Sequence, residues 1–136
     1  MHYKKGDMSI ITRLRQIVGE KNVLTKNEER EQYSHDETLN LARYMPEIVI
    51  KPNNKNQERD VLILANRDRI PITPRGGGTG LSVGAVPLYE GSLFSLERMN
   101  KILELDKENM MSILEPGVTN GELQIEAERY GLFYPV

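Results

Sequence analysis

Four of the five residues from Gly76 to Gly80 are glycine. They sit in Pro74-Arg75-Gly76-Gly77-Gly78-Thr79-Gly80-Leu81-Ser82-Val83-Gly84-Ala85, the one stretch of this sequence with specific chemistry. Such a run lets the backbone enter positive φ repeatedly and brings N–H groups against a ligand with no Cβ in the way. Successive N–H groups turned to one side form an anion site suited to phosphate or pyrophosphate oxygens. Thr79 and Ser82 add hydroxyls, and Arg75 could add a forked, permanent charge. Two familiar phosphate loops do not fit. A P-loop needs Gly-Lys-Ser/Thr, and here Gly80 is followed by Leu81-Ser82. A G-x-G-x-x-G fingerprint can start on Gly78 and Gly80, but Val83 stands at its third glycine. The segment that follows contains Pro87 and reads as strand, so no helix N-terminus faces the ligand. On composition alone, the same glycines also suit a flexible hinge between two strands.

The other candidate residues carry less. His35 lies in Tyr33-Ser34-His35-Asp36 and the only other histidine is His2, so a structural hydrogen-bonding role is expected of it rather than a metal or catalytic one. Glu28-Glu29 and the Glu126/Glu128 pair read as solvated helix faces, and the six methionines as scattered filling. Tyr130, Phe133 and Tyr134 are expected to pack under the last helix. As a bare sequence feature, Pro116-Gly117 is only a turn. No residue is assigned a catalytic role, and no metal site is expected.

To hold the glycine loop, the chain must bring ordered elements to both its ends. Ser9 to Val18 reads as an amphipathic helix with Ser9 as N-cap, a stripe of Ile10, Ile11, Leu14, Ile17 and Val18, and Gly19 as its end. Val23 to Thr25 is extended, Asn27 caps a charged helical turn reaching Tyr33, and Ser34 to Met45 has no period and reads as loop. Ile48-Val49-Ile50 is a buried strand closed by Lys51-Pro52. A helix follows over 56–69, with Val61, Leu62, Leu64 and Ala65 inward, and then a short extended piece from Ile70 to Pro74. Strand, helix and strand at this spacing form a βαβ unit with a right-handed crossover. Three strands follow the loop, at 92–96, 102–105 and 111–114, the first two in antiparallel pairing. Thr119 or Asn120 caps a last helix to Tyr130, with Gly131 as C-cap. The expected fold is α+β, a βαβ start followed by a small mixed sheet, divided into a helical arm (1–45) and the loop-bearing domain (46–136).

At 136 residues, 38% hydrophobic and 28% charged, the chain suits one soluble domain with a modest core. Its formal net charge of -2 offers no electrostatic argument for nucleic acid or an anionic membrane. Without cysteine, it has no disulfide, thiolate metal site or cysteine nucleophile. No run approaches the ~20 apolar residues needed to span a bilayer, and the first residues lack a signal-peptide core. A cytoplasmic protein is expected, with Met8 a second candidate start.

The segment Pro71-Ile72-Thr73-Pro74 followed by Arg75 to Ser82 resembles the pyrophosphate loop of FAD-linked oxidases of the p-cresol methylhydroxylase and vanillyl-alcohol oxidase type. Within them, the chain looks like the branch of glycolate oxidase D subunits and D-lactate dehydrogenases. Tyr33-Ser34-His35-Asp36, the stretch Pro46 to Pro52, Leu96 to Ile102, Glu115-Pro116-Gly117-Val118 and Gly131 to Pro135 recur there in the same order. The resemblance runs from Ser9 onward. It implies FAD, held covalently or noncovalently, with its pyrophosphate on Pro74, Arg75, Gly76, Gly77, Gly78, Thr79, Gly80, Leu81 and Ser82, and with Pro116-Gly117 beside the cofactor. The implied activity is oxidation of a 2-hydroxy acid such as glycolate or D-lactate.

Two departures from the family pattern matter. The family usually has glycine at the position of Val83, so the far end of the loop is expected to be distorted. The family also continues from a Tyr-Pro pair into Pro-Asp-Pro, a second glycine-rich flavin segment and a substrate domain, whereas here Tyr134-Pro135 is followed by Val136. The expectation is the first lobe of a two-lobed FAD domain, inactive alone, whose partner is the missing half or a second chain supplying it. The strands from Ser92 to Leu114 and the face Leu123, Ile125, Ala127 would then be left uncovered, inviting self-association. A truncated or split fragment without activity, and a non-redox phosphate- or nucleotide-binding module, are the rival expectations.

Overall fold

The computed structural model describes residues 7–40 and 42–135; His2, Leu41 and Val136 lie outside the described residues. Helix α1 (Met8–Val18) buries Ile10, Leu14 and Val18, one residue per turn. Its N-cap is Asp7 rather than Ser9: the Asp7 carboxylate accepts the Ile10 N–H at 2.9 Å, and Ser9 Oγ donates to it at 2.7 Å. A carboxylate is a stronger acceptor than a hydroxyl at the positive end of a helix, so it takes the cap. Asn27 likewise does not cap α2 (Asn27–Arg30). Lys26 stands at that position without a side-chain bond, and the Asn27 amide oxygen accepts from Arg30 instead.

Strand β1 (Val23–Leu24) runs antiparallel to β2 (Ile48–Ile50). Helix α3 (Lys55–Asp68) then starts on Asn54, whose Oδ1 accepts the N–H groups of Asn56 and Gln57, both at 3.0 Å, and stops at left-handed Arg69. Its inner face is Val61, Leu64 and Ala65. Leu62, expected to face inward, is 41% exposed, because the ~100° turn per residue carries it off the stripe.

The βαβ unit forms, but β2 and β3 (Ile72–Arg75) are not neighbours. Strand β4 (Ser92–Ser95) inserts between them and runs parallel to both, so the sheet order is β1-β2-β4-β3. The expected antiparallel pairing of the first two strands after the loop is therefore wrong. All four residues of β4 are buried, as suits a strand flanked on both sides. The next strand, β5 (Ile102–Asp106), carries Glu104 and Asp106 and cannot enter such a sheet. It pairs antiparallel with β6 (Met111–Leu114) in a separate two-stranded sheet.

Period-2 alternation sorts the central strands. Ile48, Ile50 and Phe94 face α1 and α3 in one core with Val23 and Ile70, while Val49 and Leu93 pack with Tyr33 on the other face. The stretch 1–45 thus contributes α1 and β1 to the same core and sheet as the rest.

Helix α4 (Asn120–Arg129) begins with a capping box. Thr119 Oγ1 accepts the Glu122 N–H at 3.2 Å, and Glu122 Oε2 accepts the Thr119 N–H at 2.7 Å. Tyr130 is the C-cap, and Gly131, at φ +72°, follows it as the left-handed residue. Leu123 and Ala127, expected to lie open, are buried, and Ile125 is exposed. None of the described helices is long and apolar enough to cross a membrane.

Candidate functional site

In the parallel trio β2, β4 and β3, the chain leaves each carboxyl end into a residue with chemistry: Lys51 after β2, Glu97 two residues past β4, and Arg75-Gly76 at the end of β3. Ligands of open α/β sheets bind at the carboxyl ends of the strands, where the connections diverge. The glycine loop begins there. From Gly76 to Ser82 it is neither helix nor strand. Among the described residues, no N–H of this run donates to a protein acceptor, although the flanks do pair, with Leu96 N–H on Arg75 O at 2.9 Å. The hydroxyls of Thr79 and Ser82 likewise have no hydrogen-bond partner among the described residues, and Thr79, Gly80, Leu81 and Ser82 are exposed. A row of free backbone donors on bare backbone fits a multivalent oxyanion such as a pyrophosphate.

Space explains two of the glycines. Gly78 is at φ +73°, and a Cβ there would run into the Arg75 guanidinium. A Cβ on Gly76 would come within 3.3 Å of the Pro116 carbonyl oxygen, so the Pro116-Gly117 turn lies against the entry of the loop. Gly117 itself donates its N–H to Met99 O at 2.7 Å and leaves no room for a side chain above the Leu96 carbonyl. The sequence-derived residues Gly76, Pro116 and Gly117 are therefore one assembly. Pro74 is the exposed third residue of β3 and sets the loop's departure.

Arg75 is placed differently from the expectation of a charge aimed at the anion. Its Nη1 donates to His35 O at 2.6 Å and its Nη2 to Gln32 O at 3.4 Å, with the guanidinium 5.8 Å from the centre of the Tyr33 ring. It ties the loop's first residue to the segment before Asp36. Burial lowers its pKa, yet a guanidinium stays cationic at neutral pH, so it adds positive field near the loop. His35 offers its carbonyl here, in keeping with a structural role.

A polar cluster missed by sequence reasoning sits beside this assembly. Lys51 Nζ meets Glu97 Oε1 at 2.6 Å, Ser95 Oγ donates to Glu97 Oε2 at 3.0 Å, and the Tyr33 hydroxyl donates to the same carboxylate at 3.2 Å. Burial pushes the Glu97 carboxyl up, but the hydrogen bond and charge of Lys51, with Ser95 and Tyr33, outweigh it and hold the group below its ordinary value. Burial depresses Lys51, and its bonds to Glu97 and Tyr33 raise it above the usual lysine value. Burial is the main cause of the raised Tyr33 pKa. The signal in the sequence was slight: one charged residue within two positions of the end of each of two buried strands. Val83, where distortion was expected, adopts φ +64° in full, in the left-handed region. No group of three or more His, Asp or Glu able to hold a metal occurs among the described residues.

A family model described as an FAD binding domain matches residues 46–136. The chain is 37% identical over 133 residues to a D-lactate dehydrogenase of Anaerostipes hadrus, covering 98% of this chain and 28% of that protein. It is 38% identical over 120 residues to the glycolate oxidase subunit GlcD of Bacillus subtilis (strain 168), covering 88% of this chain and 25% of that one. Among solved structures, p-cresol methylhydroxylase with substrate bound superposes with a TM-score of 0.79 at 26% identity, over 90% of this chain and 24% of the other. Alkyldihydroxyacetonephosphate synthase gives a TM-score of 0.80 at 17% identity and shares the fold. The chain thus spans about a quarter of the length of these relatives.

Proposed function

The chain belongs to the FAD-binding domain family, and from that premise we propose that it is the pyrophosphate-binding portion of a flavin-dependent oxidoreductase acting on a 2-hydroxy acid of the glycolate or D-lactate type. The observation that carries the reading is the run of unpaired N–H groups from Gly76 to Ser82, set at the carboxyl ends of parallel strands with Pro116-Gly117 against its entry. These donors, with the hydroxyls of Thr79 and Ser82, would hold the pyrophosphate. The Leu81 side chain, 71% exposed, would cover it, and Pro74 and Arg75 would fix the loop's direction. A bound flavin supplies the hydride-accepting chemistry, and this chain's residues supply binding and orientation. The named activities of its relatives, D-lactate dehydrogenase and glycolate oxidase, support the substrate class.

Most of the relatives' length has no counterpart in these residues. The second flavin-contacting segment and the substrate site would therefore be supplied by another polypeptide segment. The chain alone would bind FAD weakly, since a dinucleotide draws its affinity from burial along most of its length. Titration with FAD, followed by quenching of flavin fluorescence, is expected to show weak, saturable binding that dialysis removes. The chain alone should not reduce an artificial acceptor with D-lactate or glycolate. A yellow protein that keeps FAD through dialysis would refute the one-lobe reading, and no response to either FAD or ADP would refute the cradle.

A further inference from the structure

The far end of the glycine loop is closed by the one β-branched side chain among the described non-glycine residues at positive φ, Val83 at +64°. A left-handed backbone crowds Cβ against the following carbonyl, and branching at Cβ aggravates it, so this conformation persists only where the surroundings hold it. Two hydrogen bonds hold it: the Val86 N–H donates to the Val83 carbonyl at 3.1 Å within the local turn, and the Val83 N–H donates to Thr38 Oγ1 at 3.0 Å, across a separation of 45 residues. Thr38 is itself held. Its N–H donates to Asp36 Oδ1 at 3.0 Å, and Asp36 is 7% exposed. One residue earlier, the Glu37 N–H donates to Gly80 O at 3.1 Å, so the same tripeptide grips the loop in its middle and at its end. The root of the grip is fixed in turn by the buried Ser34, whose Oγ donates to Glu31 O at 2.6 Å and whose carbonyl accepts the Tyr44 N–H at 2.9 Å.

We propose that Thr38 is a positioning residue for the phosphate-binding loop, its hydroxyl capturing the Val83 N–H and so holding a left-handed closure that valine would otherwise leave. The proposal rests on the reading of the loop as a pyrophosphate site. Thr38 takes no part in holding the ligand; it keeps the Gly80–Val83 backbone in the shape that presents its donors, so that order is present before the ligand arrives. A glycine at 83 would adopt the same φ without help. The need for the Thr38 hydroxyl is therefore conditional on the valine, and a passive packing role would not show that dependence.

The test compares Thr38→Val, Thr38→Ser, Val83→Gly and the Thr38→Val/Val83→Gly double variant in the full 136-residue chain. Two quantities are read: site-resolved amide exchange of residues 80–83 without ligand, and FAD affinity. Thr38→Val is expected to speed exchange of the residue-83 amide about tenfold and to weaken FAD by a similar factor, the scale of one net hydrogen bond. Thr38→Ser should match the parent, and the double variant should recover FAD affinity to within about twofold of Val83→Gly. If Thr38→Val does not fold, the double variant still decides: its refolding supports the clasp and its failure overturns it. Unchanged exchange and affinity in Thr38→Val, equal loss in Thr38→Ser, or no recovery in the double variant each overturn the assignment. Because exchange is read without ligand, a parent chain that never binds FAD would remove the pyrophosphate reading while leaving the role of Thr38 to the exchange rates.

Discussion

Arg75 and Gly78 constrain one another, and the chemistry of the loop follows from that pair. The guanidinium folds back over the loop toward the His35 and Gln32 carbonyls and occupies the space a Gly78 side chain would need. Gly78→Ala must either expel Arg75 or abandon φ +73°. We expect it to cost about 1–2 kcal/mol of stability, the left-handed penalty of an L-residue, and to abolish detectable FAD quenching; a melt and a titration on the same sample check both. Glu97 makes a pH prediction. Its carboxyl is held below the ordinary value in the folded chain, so its stabilisation is present above the unfolded carboxylate range and is lost as pH falls through the lowered folded value. Glu97→Gln should flatten that acid limb of the stability profile, and an unchanged acid limb would show that the Lys51–Glu97 contact contributes nothing. The glycines were legible in the sequence because composition alone reports a bare backbone. The direction of Arg75 was not, because its acceptors lie 40 and 43 residues away and carbonyls carry no residue-type signal.

Helices α1, α3 and α4 were the most readable elements, since each buries residues at helical spacing. Leu14, 2% exposed, joins α1 to the core shared with α3 and the central strands. Leu14→Ala should lower stability by about 2–5 kcal/mol through lost burial and a residual cavity, measurable by chemical denaturation. Thr119→Ala removes the capping box of α4 and should cost about 0.5–2 kcal/mol. Two kinds of feature escaped. Strand neighbours are chosen by burial on both flanks, and the insertion of β4 between β2 and β3 depends on what each strand can bury rather than on its place in the chain. The segment 34–45 has no hydrophobic period, so nothing marked it as more than loop. Its role comes from single backbone and hydroxyl bonds to residues far along the chain, at Gly80 and Val83.

At the scale of the molecule, the sheet β1-β2-β4-β3 is well covered while the hairpin β5–β6 is not. Leu103, Met111 and Ile113 on the hairpin and Ile125 and Phe133 beyond it are each more than half exposed. A two-stranded sheet with open edges and apolar faces favours pairing with another chain. We expect concentration-dependent self-association by light scattering, reduced by Ile113→Lys with no loss of melting temperature; a monodisperse parent chain with a sharp, high-temperature transition would contradict it. The proposed function rests on the glycine loop, and weak binding does not hide that loop from a residue-resolved probe. The most direct test is therefore a backbone amide NMR titration of the 136-residue chain with FAD, with ADP and with riboflavin. If the loop is the pyrophosphate cradle, FAD and ADP shift the amides of Gly76 to Ser82 and of Gly117, and riboflavin, which lacks the pyrophosphate, leaves them in place. Equal shifts with riboflavin, or FAD shifts confined to residues away from this loop, would contradict that reading.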